Sequence, residues 1–390
     1  MNCEFDEVIQ RSGTNSLKYD FWEKCGKPAD VLPLWVADMD FKSPPAVINS
    51  LVNASRFGIF GYSECSNEYF NVLKKWFAES FGWDVKSKWL VKTPGVVFAI
   101  SNAIRALTKE GDAILIQPPV YYPFARSVVS NERKLVNNPL QYAHGKYSID
   151  FEDFENKIVK NNVKLFIFCS PHNPVGRVWS VDELTRLGDI CVKYGVCVVS
   201  DEIHADFILK GHKHCVFSNL KPEFADIAVT CTAPSKSFNL AGLQVSNIFI
   251  ANEDLKRKFE KEIEKVGYSQ INQMGLIACQ TAYQYGRQWL ENLNQYLAGN
   301  IAFTRRFLTQ KLPQIKLVEP EGTYLLWLDF TGLGLDQKQL ENLIVHQAKL
   351  WLDSGTMFGI EGQGFERINI ACPRATLNQA LCQLEKAINK

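Results

Sequence analysis

The sequence lacks the features that mark a chain for membranes, nucleic acid or a disulfide-stapled life outside the cell. No uninterrupted apolar run reaches the roughly 20 residues that a membrane span needs. Its 43 basic and 42 acidic residues leave a formal net charge of +1, which removes the electrostatic basis for binding nucleic acid or an anionic surface. The basic cluster Lys256-Arg257-Lys258 is followed by Glu260, Glu262 and Glu264, the pattern of a solvated helix face. Repeats and low-complexity linkers are absent. There are eleven cysteines but no CxxC pair. They are scattered (Cys3, Cys25, Cys169, Cys231 and Cys382 among them), and several sit in apolar runs such as Leu165-Phe166-Ile167-Phe168-Cys169. Free buried thiols are expected, with neither bridges nor a zinc site. His212 and His214, in Gly211-His212-Lys213-His214, lack a third ligand and read as an exposed turn, so no metal is expected. The stretch Met1–Gly13 carries Glu4, Asp6 and Glu7 and has no apolar signal core, so a cytoplasmic protein is expected.

What remains is an ordinary globular composition, 46% hydrophobic and 22% charged, in 390 residues, enough for two domains. The middle of the chain alternates short apolar runs with helical patterns, which predicts βαβ units around a mostly parallel sheet. Strands are predicted at Trp89–Lys92, Ala113–Gln117, Lys164–Cys169, Val196–Ser200 and Ile227–Thr232. Ser180-Val181-Asp182-Glu183 is a capping box that should open a helix over Val181–Tyr194, with Gly195 ending it. After about Gln280 the character changes. A long amphipathic stretch runs from Trp289 to Leu312; then come a strand at Tyr324–Phe330, a helix near Gln337–Lys349, a strand near Arg367–Ala371 and a terminal helix. The expected division is a large α/β domain over residues 46–285. Residues 1–45 and 286–390 would form a smaller α+β domain with an N-terminal arm.

Three polar clusters share one kind of position, just past the carboxyl end of a predicted parallel strand, the edge where open α/β sheets bind ligands. They are Ser170-Pro171-His172-Asn173-Pro174-Val175-Gly176, Asp201-Glu202-Ile203-His204 and Ala233-Pro234-Ser235-Lys236. Asp201 and Lys236 are 35 residues apart, about one strand-to-strand step. An amide, a carboxylate and an amine can therefore converge on one crevice. Those groups suit a pyridine cofactor. A carboxylate facing the ring nitrogen keeps it protonated, an amide can bond its phenolic oxygen, and a desolvated lysine can form an imine and shuttle protons.

Taken together, these runs resemble the fold-type-I, class I/II aminotransferase superfamily of pyridoxal 5′-phosphate enzymes. The narrower resemblance is to the MalY/PatB group of cystathionine (cysteine-S-conjugate) β-lyases. It rests also on Leu34-Trp35-Val36-Ala37-Asp38-Met39-Asp40-Phe41, Phe60-Gly61-Tyr62, Gln117-Pro118-Pro119-Val120-Tyr121-Tyr122-Pro123-Phe124 and Ala371-Cys372-Pro373. The resemblance implies a large domain with a seven-stranded, mostly parallel sheet. It implies Lys236 as Schiff-base lysine and general base, Asp201 opposite the pyridine nitrogen, and Asn173 on the phenolic oxygen. His204 stands where many relatives carry a tyrosine that also bonds that oxygen. Tyr121 would stack on the ring, and Lys236 or a tyrosine (Tyr121 or Tyr122) would protonate the leaving sulfur. Gly95, Val96 and Val97 would hold the phosphate with backbone N–H groups, aided by Ser235. Tyr62 would reach the phosphate of a neighbouring subunit, which implies a homodimer with shared sites. Arg367 would pair with the substrate carboxylate, with Arg374 as its competitor, and the segment around Ala37 would help to enclose the substrate. Archetypal aminotransferases place a hydroxyl residue and an arginine on the phosphate where this chain has Ala233 and Gln244. The implied reaction is α,β-elimination from cystathionine, cysteine or a related conjugate to pyruvate, ammonia and a thiol or hydrogen sulfide. The alternatives are transamination on the same fold, or a lyase with an added regulatory binding role.

Overall fold

The computed structural model describes residues 5–389, so Cys3 lies outside the described residues. The central element is a seven-stranded sheet: β1 (Leu90–Thr93), β2 (Ala113–Ile116), β3 (Lys134–Asn137), β4 (Leu165–Cys169), β5 (Cys197–Asp201), β6 (Ala228–Thr232) and β7 (Ser246–Phe249). Its order is β1-β7-β6-β5-β4-β2-β3, and only β7 runs against the rest. Helices cover both faces, so β2, β4, β6 and β7 are buried at every position, and β2 and β4 are written as unbroken apolar runs, such as Leu165-Phe166-Ile167-Phe168-Cys169.

Five of these strands lie within a residue of the ranges that the apolar runs predict, and two do not show in the sequence. β3 is an edge strand with only one buried residue, Val136, and β7 carries polar Ser246 and Asn247, so neither shows as an apolar run. Helix α1 (Val96–Leu107) begins directly after Gly95, and α2 (Val181–Tyr194) opens on the Ser180/Glu183 capping box and stops at Gly195 in the left-handed region.

Beyond the sheet, a helix over Gln273–Tyr285 and α3 (Arg287–Lys311) follow one another with only Gly286 between them. A second sheet, all antiparallel, is built from β8 (Lys316–Leu317), β9 (Leu325–Asp329), β10 (Asp353–Ser354) and β11 (Phe365–Asn369), in the order β8-β9-β11-β10. The helix expected near Gln337–Lys349 is α-helical only over Gln337–Glu341 and continues as a π-turn, Asn342–Gln347. The strand expected at Arg367–Ala371 begins two residues earlier, which moves Arg367 from a strand end into the strand interior.

The N-terminal arm joins this unit. Leu32–Pro33 pairs in parallel with Leu350–Trp351, and the Trp35 and Trp351 rings stack at 4.4 Å. A strap of four residues then turns its carbonyls inward. Trp35 O accepts from Arg367, Val36 O and Asp38 O from the Asn369 side-chain amide, and Ala37 O from Tyr324. Arg11 and buried Lys18 clamp the strap from the other side through Asp38 and Asp40, at 2.7–2.9 Å.

Candidate active site

The carboxyl ends of β4, β5 and β6 open on a cavity of about 350 Å³, lined among others by Ala37, Tyr121, Asn173, Asp201, His204 and Lys236. Its far wall is the start of α1, with Gly95, Val96 and Val97, and its rim includes Ser235 and Gln244.

Each polar group arrives there for a local reason. Asn173 sits in the loop after β4, whose shape is fixed by Arg177. That guanidinium bonds Glu321 at 2.8 Å and Glu183 at 3.0 Å and lies over the Trp179 ring. The loop turns at Gly176, with φ +73° in the left-handed region, and a Cβ there would press on Pro320. Asp201 is the last residue of β5 and buried. Its carboxylate takes one hydrogen bond, from the Ile203 N–H at 3.2 Å. Burial pushes its pKa up to about 7, against the pull of that N–H and of Lys236. Lys236 lies in the single helical turn Pro234–Ser237 after β6, held from below by Ser237 Oγ donating to buried Asp206. Its amine donates to Ala37 O at 3.3 Å. Desolvation, then the charge of Arg367, lowers its pKa to about 8.

His204 is buried and lines the same cavity. Burial, with Lys236 and Arg367 nearby, pushes its pKa down to about 3, so it is a neutral imidazole, and its Nδ1 has no partner. Tyr121 and Tyr122 lie side by side, ring centroids 5.5 Å apart, and burial raises both phenols, so at neutral pH they are proton donors. Tyr122 does not line the cavity. Its ring packs edge-on against Phe358 and carries Arg126 on its other side.

Arg367, from the middle of β11, reaches the site from the second sheet. It donates to Asn173 Oδ1 at 3.0 Å and to Trp35 O at 2.9 Å, pairs with buried Asp353, and lies 4.9 Å above the Phe358 ring. Arg374, at the start of the C-terminal helix Arg374–Ile388, instead bonds Asn300 and lies over Phe303, away from the cavity. Tyr62 is 98% exposed and does not line the cavity of its own chain.

One expectation is overturned. His214 is not on an exposed turn. It is 4% exposed and bonds Glu202 at 2.8 Å, while Glu202 also accepts from Ser200 Oγ and Phe217 N–H. The surrounding Gly/His/Lys composition suggested a solvated tip, but Phe81 stacks edge-on against the imidazole and seals it in. Among the described residues no cluster of His, Cys, Asp or Glu suits a metal ion. Sequence reasoning also missed Asp353 and Tyr324: the strand β10 has two residues, too short to show a pattern, and Tyr324 reads as one more apolar position before β9.

The groups present fit a phosphorylated pyridine aldehyde. Asp201, buried with a single N–H partner, would be stabilised as an anion by a cationic ring nitrogen. The amine of Lys236 is desolvated, and the N-terminus of the 12-residue helix α1 faces the cavity with unpaired N–H groups suited to a phosphate.

Comparison with known proteins agrees. The model of the family "Aminotransferase class I and II" matches residues 29–384. Cystathionine beta-lyase PatB of Bacillus subtilis is 42% identical over 99% of this chain and 100% of its own length. The PLP-bound C-S lyase of Staphylococcus hominis has a TM-score of 0.94 at 33% identity, covering 100% of this chain and 99% of that one. A PLP-bound protein of Clostridium difficile 630, provisionally named an aminotransferase, reaches a TM-score of 0.97 at 45% identity with both chains fully covered.

Proposed function

Since the chain belongs to the class I and II aminotransferase family, we propose that it is a pyridoxal 5′-phosphate-dependent carbon–sulfur β-lyase. It converts L-cystathionine, L-cysteine or a related cysteine S-conjugate to pyruvate, ammonia and a thiol, or hydrogen sulfide from cysteine itself. The observation that carries the cofactor is the meeting of Lys236, Asp201 and Asn173 at the ends of three adjacent strands in one cavity. The β-lyase reading rests on the relatives named for that reaction and on Gln244, where the archetypal transaminases have arginine.

The cofactor supplies an electron sink for the pair released when the substrate Cα loses its proton. The protein's residues do the rest. Arg367 turns one edge of its guanidinium to the substrate carboxylate, fixing which Cα substituent faces Lys236. The Lys236 amine removes the Cα proton as general base, its low pKa matching the task. Asp201 holds negative charge where the ring nitrogen carries positive charge, and Asn173 orients the opposite edge. The Cβ–S bond breaks as the Cα–Cβ double bond forms, and the leaving sulfur takes a proton from Lys236, which carries the one removed from Cα, or from a tyrosine, Tyr121 or Tyr122. Water completes the products.

The remaining assignments belong to the same proposal. Val96 and Val97 N–H and Ser235 hold the phosphate, with Gly95 clearing the approach, and His204 presents a neutral imidazole at the phenolic edge. Residues 46–285 form the cofactor unit, and 1–45 with 286–390 form the substrate-side unit. Exposed Phe57, Ile59, Phe60 and Tyr62 support a homodimer in which Tyr62 reaches the partner's site. Among the described residues no helix is long and apolar enough to cross a membrane; a cytoplasmic location is part of the same proposal.

The test is incubation with L-cystathionine without any oxo-acid, measuring pyruvate and thiol. Equal release of both is expected. Absence of pyruvate refutes the lyase, and amino transfer appearing only when an oxo-acid is added establishes the transaminase that the Clostridium difficile relative's name favours.

A further inference from the structure

The Ala37 carbonyl is shared. It accepts from the Lys236 amine at 3.3 Å and from the Tyr324 hydroxyl at 2.7 Å. Tyr324 is fully buried between the strap and His204, whose ring is 5.9 Å away. Nothing in the reaction as described uses it. The carbonyl cannot swing away, because the carbonyls on either side are pinned by Arg367 and Asn369.

A carbonyl oxygen has two lone pairs, and each donor it accepts weakens it for the other. A lysine that takes a proton from carbon and must later give it up needs an acceptor that steadies the ammonium without trapping it. An unshared carbonyl in a desolvated pocket would hold the charged form hard. We propose that Tyr324 is a positioning residue that, by occupying the Ala37 carbonyl, leaves Lys236 a deliberately weak acceptor and so keeps its amine free to exchange protons. The long lysine bond beside the shorter tyrosine bond is the geometry this requires. The charged groups facing Lys236 are Arg367 from β11, Asp38 from the strap and Asp201 from β5; Asp38 and Arg367 also face Tyr324. None of them is altered by removing the hydroxyl.

The inference rests on Lys236 acting as the base, and its test is read separately from turnover. In the full-length chain freed of cofactor, Lys236 is titrated by competitive acetylation across pH and quantified by mass spectrometry. Tyr324→Phe is expected to raise the midpoint by about 0.5 pH unit, since the carbonyl then serves the ammonium alone. In the loaded enzyme the acidic limb of kcat moves up with it, while KM for cystathionine stays within about twofold. Replacing Tyr324 by 3-fluorotyrosine, a stronger donor of the same shape, is expected to lower the midpoint and serves if Tyr324→Phe does not fold. A folded variant whose midpoint is unchanged, or moves the other way, overturns the proposal. Because the acetylation is read without substrate, that outcome is independent of whether the enzyme eliminates or transaminates.

Discussion

Arg367→Lys is the substitution whose effect the site geometry allows to be worked out most fully. The guanidinium serves Asn173 through Nη1 and Trp35 O and Asp353 through Nη2, its Nε–H has no partner, and pairing a substrate carboxylate would exchange one of the Nη2 contacts for it. A lysine ammonium has three donors on one atom and cannot span those partners. It keeps Asp353, the nearest opposite charge, and gives up the paired contact to substrate. Two charge-assisted hydrogen bonds to a carboxylate are worth about 1.5–3 kcal/mol each, and the ammonium recovers about one of them. The net loss of about 1.5–3 kcal/mol is a fall of roughly 10- to 150-fold in kcat/KM. The carboxylate is held equally before and during reaction, so most of the loss is expected in KM. Pyruvate release coupled to lactate dehydrogenase measures both constants, with melting temperature as the check on folding. Arg367→Met sharpens the test. It leaves Asp353 buried without its cation, so Asp353 must bind a proton on folding, and the variant's instability is expected to grow as pH rises. A folded Arg367→Lys enzyme with unchanged KM would refute the assignment of the carboxylate to Arg367.

Lys236→Ala is expected to abolish both pyruvate release and the borohydride-reducible absorption band, and in the parent enzyme the reduced label should map to Lys236 by peptide mass. Glu366, on β11 beside Asp353, is raised to about 8, chiefly by burial. Its folded pKa lies above the unfolded value near 4.3, so the stability it contributes is full below that pH and is lost as pH rises towards 8. Glu366→Gln should therefore flatten the fall in melting temperature between pH 5 and about 8, and an undiminished slope would count against the assignment. Gly355 opens the turn that carries Phe358, and a Cβ there would strike the Gly362 and Phe365 carbonyls. Gly355→Ala should cost about 1–3 kcal/mol of stability by urea melts, and raise KM by displacing the aromatic face beneath Arg367.

What could be read beforehand follows physical rules. Strands buried on both faces announce themselves as apolar runs, and their polar C-terminal clusters mark a ligand edge, so β4, β5 and β6 and the trio Asn173, Asp201 and Lys236 were legible. The Ser180 box was legible because both halves of a cap lie within one turn. The contacts that hold this trio in place were not. Arg367 meets Asn173 across 194 residues and Asp353 through a two-residue strand, and no local pattern encodes either meeting. His214 was misplaced for a related reason: its turn looks solvated in sequence, and only the packing of Phe81 and Glu202 shows otherwise.

The inward-facing strap has a consequence for recombining this protein with its relatives. Its carbonyls are read by Arg367, Asn369 and Tyr324 from the C-terminal segment and by Lys236 from the turn after β6. A chimera that takes its first forty residues from one parent and its last hundred from another would splice a lock to a foreign key. Crossovers that keep the strap with the C-terminal segment should yield working hybrids. A single cut between them should yield folded proteins that hold the cofactor and turn over poorly.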